Sequence, residues 1–117
     1  MDSRTFLGLQ QTHNPYRWWL PVERKLCTGG NFLYGGAGLG AAISALEGST
    51  GRNLIWSTAQ YLSYARPGEV MDIDVIVPVT GNAVTQARVV AHVGEREILV
   101  VNAALGDRNF AHSGQWE

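Results

Sequence analysis

The sequence predicts an α+β domain in which a long central helix lies inside a curled antiparallel sheet of about five or six strands. Two observations carry this. From Ala37 to Leu46 the chain holds no charge and its one polar residue is Ser44, so a helix there has no polar face to give to water. After Leu54 the pattern turns to alternation. Met71, Ile73 and Val75 stand against Val70, Asp72 and Asp74, and Thr85, Ala87, Val89 and Ala91 stand against Val84, Gln86, Arg88, Val90 and His92. Short links join the last runs, which makes them antiparallel neighbours.

Residues 1–15 read as an N-terminal loop ending in the turn signal Asn14-Pro15, with Phe6, Leu7 and Leu9 available to tack it to a core. Tyr16 to Thr28 is aromatic and branched, alternates apolar and polar in its later half, and reads as a strand. Pro21 within it points to a sheet edge or a bulge. The helix follows a loop rich in glycine and ends at Glu47, with Gly48 as its left-handed cap and Glu47 on the surface. Gly38 and Gly40 inside it each cost roughly 1 kcal/mol against alanine, which calls for close packing against a backbone or a ligand. Asn53 to Ala65 is a strand without a breaker, and Arg66-Pro67-Gly68-Glu69 is a turn. Val70 to Val79, Ala83 to Val93 and Glu97 to Leu105 form a meander through turns at Gly81-Asn82 and Gly94-Glu95-Arg96. The tail after Leu105 is polar and reads as irregular.

The 117 residues suit a single domain with a core of its own, placed at about 16–110, with 111–117 as a polar tail or the start of a linker. A formal net charge of -1 gives no electrostatic case for nucleic acid or an anionic membrane. The lone Cys27 excludes an internal disulfide or a cysteine-rich zinc site and fits a reducing, cytoplasmic setting. None of His13, His92 and His112 has a context that marks a base for it, so Cys27 reads as a structural thiol. The first residues lack a signal-peptide run, and no stretch approaches the ~20 apolar residues of a membrane span.

Several motifs in this order resemble one family. Tyr34-Gly35-Gly36 before Ala-Gly-Leu-Gly-Ala-Ala resembles the helix start of hotdog-fold thioesterases. Tyr61-Leu62-Ser63-Tyr64-Ala65-Arg66-Pro67-Gly68, followed by Asp72-Ile73-Asp74-Val75, is similar to a signature of the acyl-CoA thioesterase II family. Arg88 to Ala91 with Gly94, Ala103 to Gly106, and the tail Gly114-Gln115-Trp116-Glu117 resemble that family's next two strands and the start of its interdomain linker. The resemblance covers about residues 16–117 and points to the N-terminal of the two hotdog units that such chains usually carry. It implies a hotdog fold, a helix followed by a four-stranded meander. It also implies an acyl-CoA or other acyl thioester as substrate, fatty acid metabolism, no cofactor, and a homodimer or a second hotdog unit as partner.

Thioester hydrolysis needs a polarised carbonyl and an activated water or a carboxylate nucleophile. Backbone N–H groups at a helix N-terminus supply the first, which makes Tyr34, Gly35, Gly36 and Ala37 the candidate substrate-binding residues. Gly35 and Gly36 serve equally well as plain turn residues. The second need meets a gap. The helix positions where many hotdog thioesterases place a carboxylate are Ile43 and Ser44. The aspartate and glutamine of the family's catalytic unit fall near Trp56 and Ser57 and at Ala104, and its serine or threonine maps to Thr85. Asn31, Thr58 and Gln60 are the remaining catalytic candidates, with a loop position and a solvated strand face as their ordinary readings. Asp72 and Asp74 look like an acid–base pair but stand on the outward face of an alternating strand.

Two functions follow: an acyl-CoA thioesterase, or a non-catalytic hotdog unit that binds acyl groups or scaffolds a catalytic partner. Gly36-x-Gly38-x-x-Ala41 matches a dinucleotide fingerprint only formally, since no acidic residue ends the next strand and the later strands form a meander. A hotdog hydratase would want an aspartate–histidine pair at the helix start, and a metal site lacks ligand spacing.

Overall fold

A computed structural model describes residues 3–33 and 35–106. The elements are α1 (Ser3–Leu7), β1 (Gln10–Gln11), β2 (Arg17–Pro21), a 3-10 turn at Arg24–Leu26, α2 (Gly35–Thr50), β3 (Asn53–Tyr61), β4 (Val70–Thr80), β5 (Val84–Val93) and β6 (Arg96–Gly106). All strands join one antiparallel sheet in the order β1-β2-β4-β5-β6-β3. The sheet curls round α2, which touches β2 through β6. This is the hotdog arrangement.

Period decides which side chains meet the helix. Met71, Ile73 and Val75 of β4, Ala87, Val89 and Ala91 of β5, and Leu99, Val101, Ala103 and Leu105 of β6 are buried against Ala41, Ala42, Ala45 and Leu46 of α2. The alternate residues of β4 and β5 face outward. Pro78 sits where the β4–β5 register shifts, between Ile76 and Val79, because a residue without an N–H cannot continue the ladder.

Several expectations need correction. The first strand is shorter than Tyr16 to Thr28. Val22 and Leu26 are buried with Glu23, Arg24 and Lys25 exposed between them, a turn's spacing rather than a strand's. Pro21 is the last residue of β2 and has a strand neighbour on one side only, Val70 of β4, since β1 pairs only with Trp18 and Trp19; it lies at a local sheet edge, as expected. Residues 1–15 hold α1 and β1, and α1 places Leu7 in the core, 3.7 Å from where a Gly40 Cβ would be. The strand after the helix stops at Tyr61, and β3 pairs with β6 at the far edge rather than with β4. The meander is therefore β4-β5-β6, the three strands that the short turns join, and not the four-stranded one that the resemblance implies. Eight residues separate β3 from β4, enough to cross the end of the helix instead of turning back.

The helix also runs past Gly48 to Thr50. Gly51, with φ of 70°, takes the left-handed position, and its N–H bonds to the Glu47 carbonyl at 2.9 Å. Glu47 is half-buried, and its carboxylate accepts the Leu54 N–H at 2.9 Å. Gly48 is required by the Trp18 indole, which a Cβ there would meet at 2.7 Å. Trp18 is 2% exposed and its Nε1–H donates to Ser49 Oγ, so it has little room to move. Overpacking costs about 1–3 kcal/mol and the gain in helix propensity offsets roughly 1. Gly48→Ala is accordingly expected to lose about 1 kcal/mol of stability in urea unfolding; a midpoint at or above wild type would show that Trp18 yields freely.

Candidate functional site

An apolar cavity of about 230 Å³ opens beside the N-terminus of α2. The loop before the helix contributes Phe32 and Leu33, and the helix contributes Gly35 and Gly38. The segment that leaves β3 adds Tyr61, Ser63, Tyr64 and Ala65. Met71 of β4 with Ile98 and Leu99 of β6 lies beneath.

Hydrogen bonds hold these walls. Leu33 and Ala65 join through Leu33 N–H to the Ala65 carbonyl at 2.7 Å, and Leu62 N–H bonds to the Ile98 carbonyl at 2.8 Å. The Tyr61 hydroxyl donates to the Gly35 carbonyl at 2.6 Å and fastens the end of β3 to the first residue of the helix. Phe32 and Tyr64 pack in a tilted pair, with 4.6 Å between ring centroids and 37° between ring planes. Farther round, Arg96 donates to the Tyr64 carbonyl at 3.0 Å and to Glu69 at 2.8 Å. The Arg66 N–H holds the Glu69 carboxylate below its usual range, against partial burial and with help from Arg96.

The first N–H groups of α2 have no carbonyl within the helix to bond, and they and the positive end of the helix dipole lie at the end of the helix where Gly35 lines the cavity. No acidic residue stands in this first turn. Among the residues lining the cavity none is a carboxylate, a histidine or a cysteine; its polar side chains are Ser63, Tyr61 and Tyr64. Among the described residues no group of three histidine, cysteine or carboxylate side chains is arranged to hold a metal. The cavity can bury an apolar tail and turn a polar oxygen toward backbone N–H donors.

Of the candidate binding residues, Gly35 lines the cavity, Gly36 is exposed and Ala37 half-buried beside it, and Tyr34 lies outside the described residues. Asn31 does not line it. Its backbone has φ of 64°, a conformation that asparagine tolerates, and its side-chain oxygen accepts from Arg24 at 3.2 Å. Thr58 and Gln60 are exposed, opposite Asn102 and Val100, on the face of the sheet away from the helix. Cys27 donates to the Glu23 carbonyl at 3.4 Å and stays outside the site.

The positions to which the resemblance assigns catalytic residues are neighbours along β6 but do not share a face: Trp56 pairs with Ala104 on the outer face that holds Thr58 and Gln60, whereas Thr85 pairs with Leu105 of the core. Thr85 and its partner Leu105 lie about 20 Å along β6 from Leu99, at ~3.3 Å per residue. Thr85 is 2% exposed and its hydroxyl accepts from Arg52 at 2.9 Å.

Of the residues that line the cavity, sequence reasoning named only Gly35 for the site. Tyr61, Ser63, Tyr64 and Ala65 lay within the motif run from Tyr61 to Gly68, Phe32 read as loop, and Leu33, Met71, Ile98 and Leu99 carried only the signal of ordinary core positions.

A second polar cluster occupies the outer face. Asp74 accepts two bonds from Arg17, at 2.6 and 3.0 Å, and one from His92 Nε2 at 2.7 Å. His92 Nδ1 stands 2.8 Å from the Gly94 carbonyl and 4.0 Å from Asp72. Both ring nitrogens thus face acceptors, which suits the imidazolium. Asp72 and Asp74 are half-buried rather than fully solvated. Partial burial alone would raise the Asp74 pKa, but the bonds from Arg17 and His92 and their charges hold it below the usual range. Burial alone would lower His92, but Asp74, the Gly94 carbonyl and Asp72 raise it above its ordinary value. A raised folded-state pKa gives stability that is full below the unfolded pKa and is lost as pH rises through the folded one; the depressed Asp74 gives stability that is lost as pH falls. His92→Gln is therefore expected to lower the melting temperature most at about pH 5 and progressively less above neutrality. A pH-independent difference in thermal scans would rule out the charged pair.

No family model and no curated protein matches this sequence. Solved structures do. A crystal structure from Novosphingobium aromaticivorans, provisionally named a thioesterase, superposes with a TM-score of 0.80 at 29% identity, covering 86% of this chain and 40% of its own. This chain thus spans about two-fifths of that protein. The PaaI protein of the phenylacetic acid degradation operon of E. coli superposes with a TM-score of 0.79 at 13% identity, over 89% of this chain and 86% of its own. The protein smu.793 of Streptococcus mutans, solved with acetyl CoA bound, superposes with a TM-score of 0.73 at 16% identity, over 84% and 86%. The last two likenesses are of fold alone. The described residues contain no helix long and apolar enough to cross a membrane.

Proposed function

We propose that this chain is a thioesterase-type hotdog unit that binds an acyl thioester of coenzyme A, with the acyl group in the cavity and the carbonyl at the start of α2. The observation that carries this is the apolar cavity that opens beside a buried helix beginning Gly-Gly-Ala. Hydrolysis adds water to the carbonyl carbon and breaks the C–S bond, leaving a carboxylate and a thiol. Charge develops on the carbonyl oxygen, and N–H donors aimed along a helix dipole stabilise it. The acetyl CoA complex of the Streptococcus mutans protein of the same fold supports coenzyme A as the carrier. Spectrophotometric release of thiol from a set of acyl-CoAs tests the proposal, and a chain that neither binds nor hydrolyses any of them refutes it.

A second reading follows from the lack of a carboxylate in the cavity lining and from β3. Among the described residues this nine-residue strand has a partner on one side only, β6, and it exposes Trp56 and Tyr61. Such an edge invites pairing. A second copy or a second hotdog unit seated there would complete the water-activating machinery, and this chain alone would bind without turnover.

A further inference from the structure

We propose that the cavity selects a compact acyl group, a single aromatic ring with a short linker or a chain of about eight carbons, and excludes long fatty acyl chains. The proposal rests on the cavity being the acyl site. Three features of the structure carry it.

The first is size. An apolar cavity of ~150 Å³ holds one benzene ring. The about 230 Å³ here therefore holds a ring with two or three further carbons.

The second is closure. The inner end is walled by Ala65 and Leu99, each 1% exposed, and by Met71, 0% exposed, so water does not pass beyond them. The walls behind belong to the sheet and the close-packed core, which does not open for a longer chain without losing its packing. The cavity is thus a blind pocket and not the mouth of a tunnel.

The third is the lining. Phe32 and Tyr64 pack as a tilted pair at 4.6 Å and Tyr61 is pinned to Gly35, so ring faces and edges stand ready for another ring. Gly38 sets the width. A Cβ there would stand 3.4 Å from Leu33 and 3.8 Å from Leu99, both cavity residues, so an alanine fits the helix and takes its volume from the cavity.

The test is calorimetric titration of the purified chain with acetyl-, hexanoyl-, octanoyl-, dodecanoyl-, palmitoyl- and phenylacetyl-CoA, with thiol release measured alongside. Affinity is expected to rise roughly fourfold per methylene up to about eight carbons and then level off or fall. Phenylacetyl-CoA is expected to bind at least as tightly as hexanoyl-CoA. Gly38→Ala should move the break to shorter chains, and Ile98→Ala to longer ones. An affinity that climbs unbroken to palmitoyl-CoA, or a break that neither variant moves, overturns the selectivity while leaving thioester binding intact. No heat and no turnover with any acyl-CoA overturns the site itself.

Discussion

Gly35→Pro is expected to lower acyl-CoA hydrolysis about 10²–10³-fold, the cost of losing one oxyanion donor. Proline at the first helical position lacks the N–H but keeps the helix, because that N–H has no intrahelical partner and φ near −65° is already helical. The side chain has room, since a Cβ at Gly35 would stand 3.5 Å from the Tyr61 ring, ordinary contact. The carbonyl that accepts from Tyr61 is retained. Gly35→Ala keeps the N–H and is the control, expected to hold activity within a few-fold. A folded proline variant with full turnover would show that these glycines only make the turn. If the wild-type chain binds without turnover, the same pair is read as affinity, and the scaffold reading gains.

The second large effect is on stability. Leu46→Ala should cost about 2–5 kcal/mol, the range for deleting a buried leucine and leaving a cavity. Leu46 is 0% exposed on α2, in the same core as Ala42, Ala45 and Leu105. A helix uncharged from Ala37 to Leu46 and enclosed by a sheet has little mobile material with which to refill the space. Against a total of roughly 5–15 kcal/mol this is a large fraction. Urea unfolding followed by tryptophan fluorescence measures it, and a loss below about 1 kcal/mol would mean that the helix is not the centre of the core.

The glycines of α2 show how far local reading reaches. Gly38 and Gly40 call for close packing against a backbone or a ligand. In the structure an alanine at either would meet only side-chain atoms at ordinary distances, Leu33 and Leu99 in one case and Leu7 in the other. At Gly38 the freed space belongs to the cavity, so the pressing neighbour is empty volume that a ligand can take. Gly48, read as a cap, is the glycine that a close neighbour requires, and that neighbour is Trp18, thirty positions away in the chain. Asp72 and Asp74 were correctly assigned to the outward face. The register that sets Asp74 opposite Arg17 on one side and Asp72 opposite His92 on the other lay beyond a single strand's pattern.

The buried helix, the meander β4-β5-β6 and the inward and outward faces of those strands were determined by the sequence itself. Each depends on a local period of residues and on turns too short to allow another pairing. The place of β3, the cavity and the fates of Asn31, Thr58 and Gln60 were decided only in three dimensions. An eight-residue link leaves the choice of partner strand open, and packing closes it by seating β3 on β6. The cavity is bounded by Leu33, Tyr61, Met71 and Leu99, from four separate segments, and no short stretch of chain encodes a space that exists only between them.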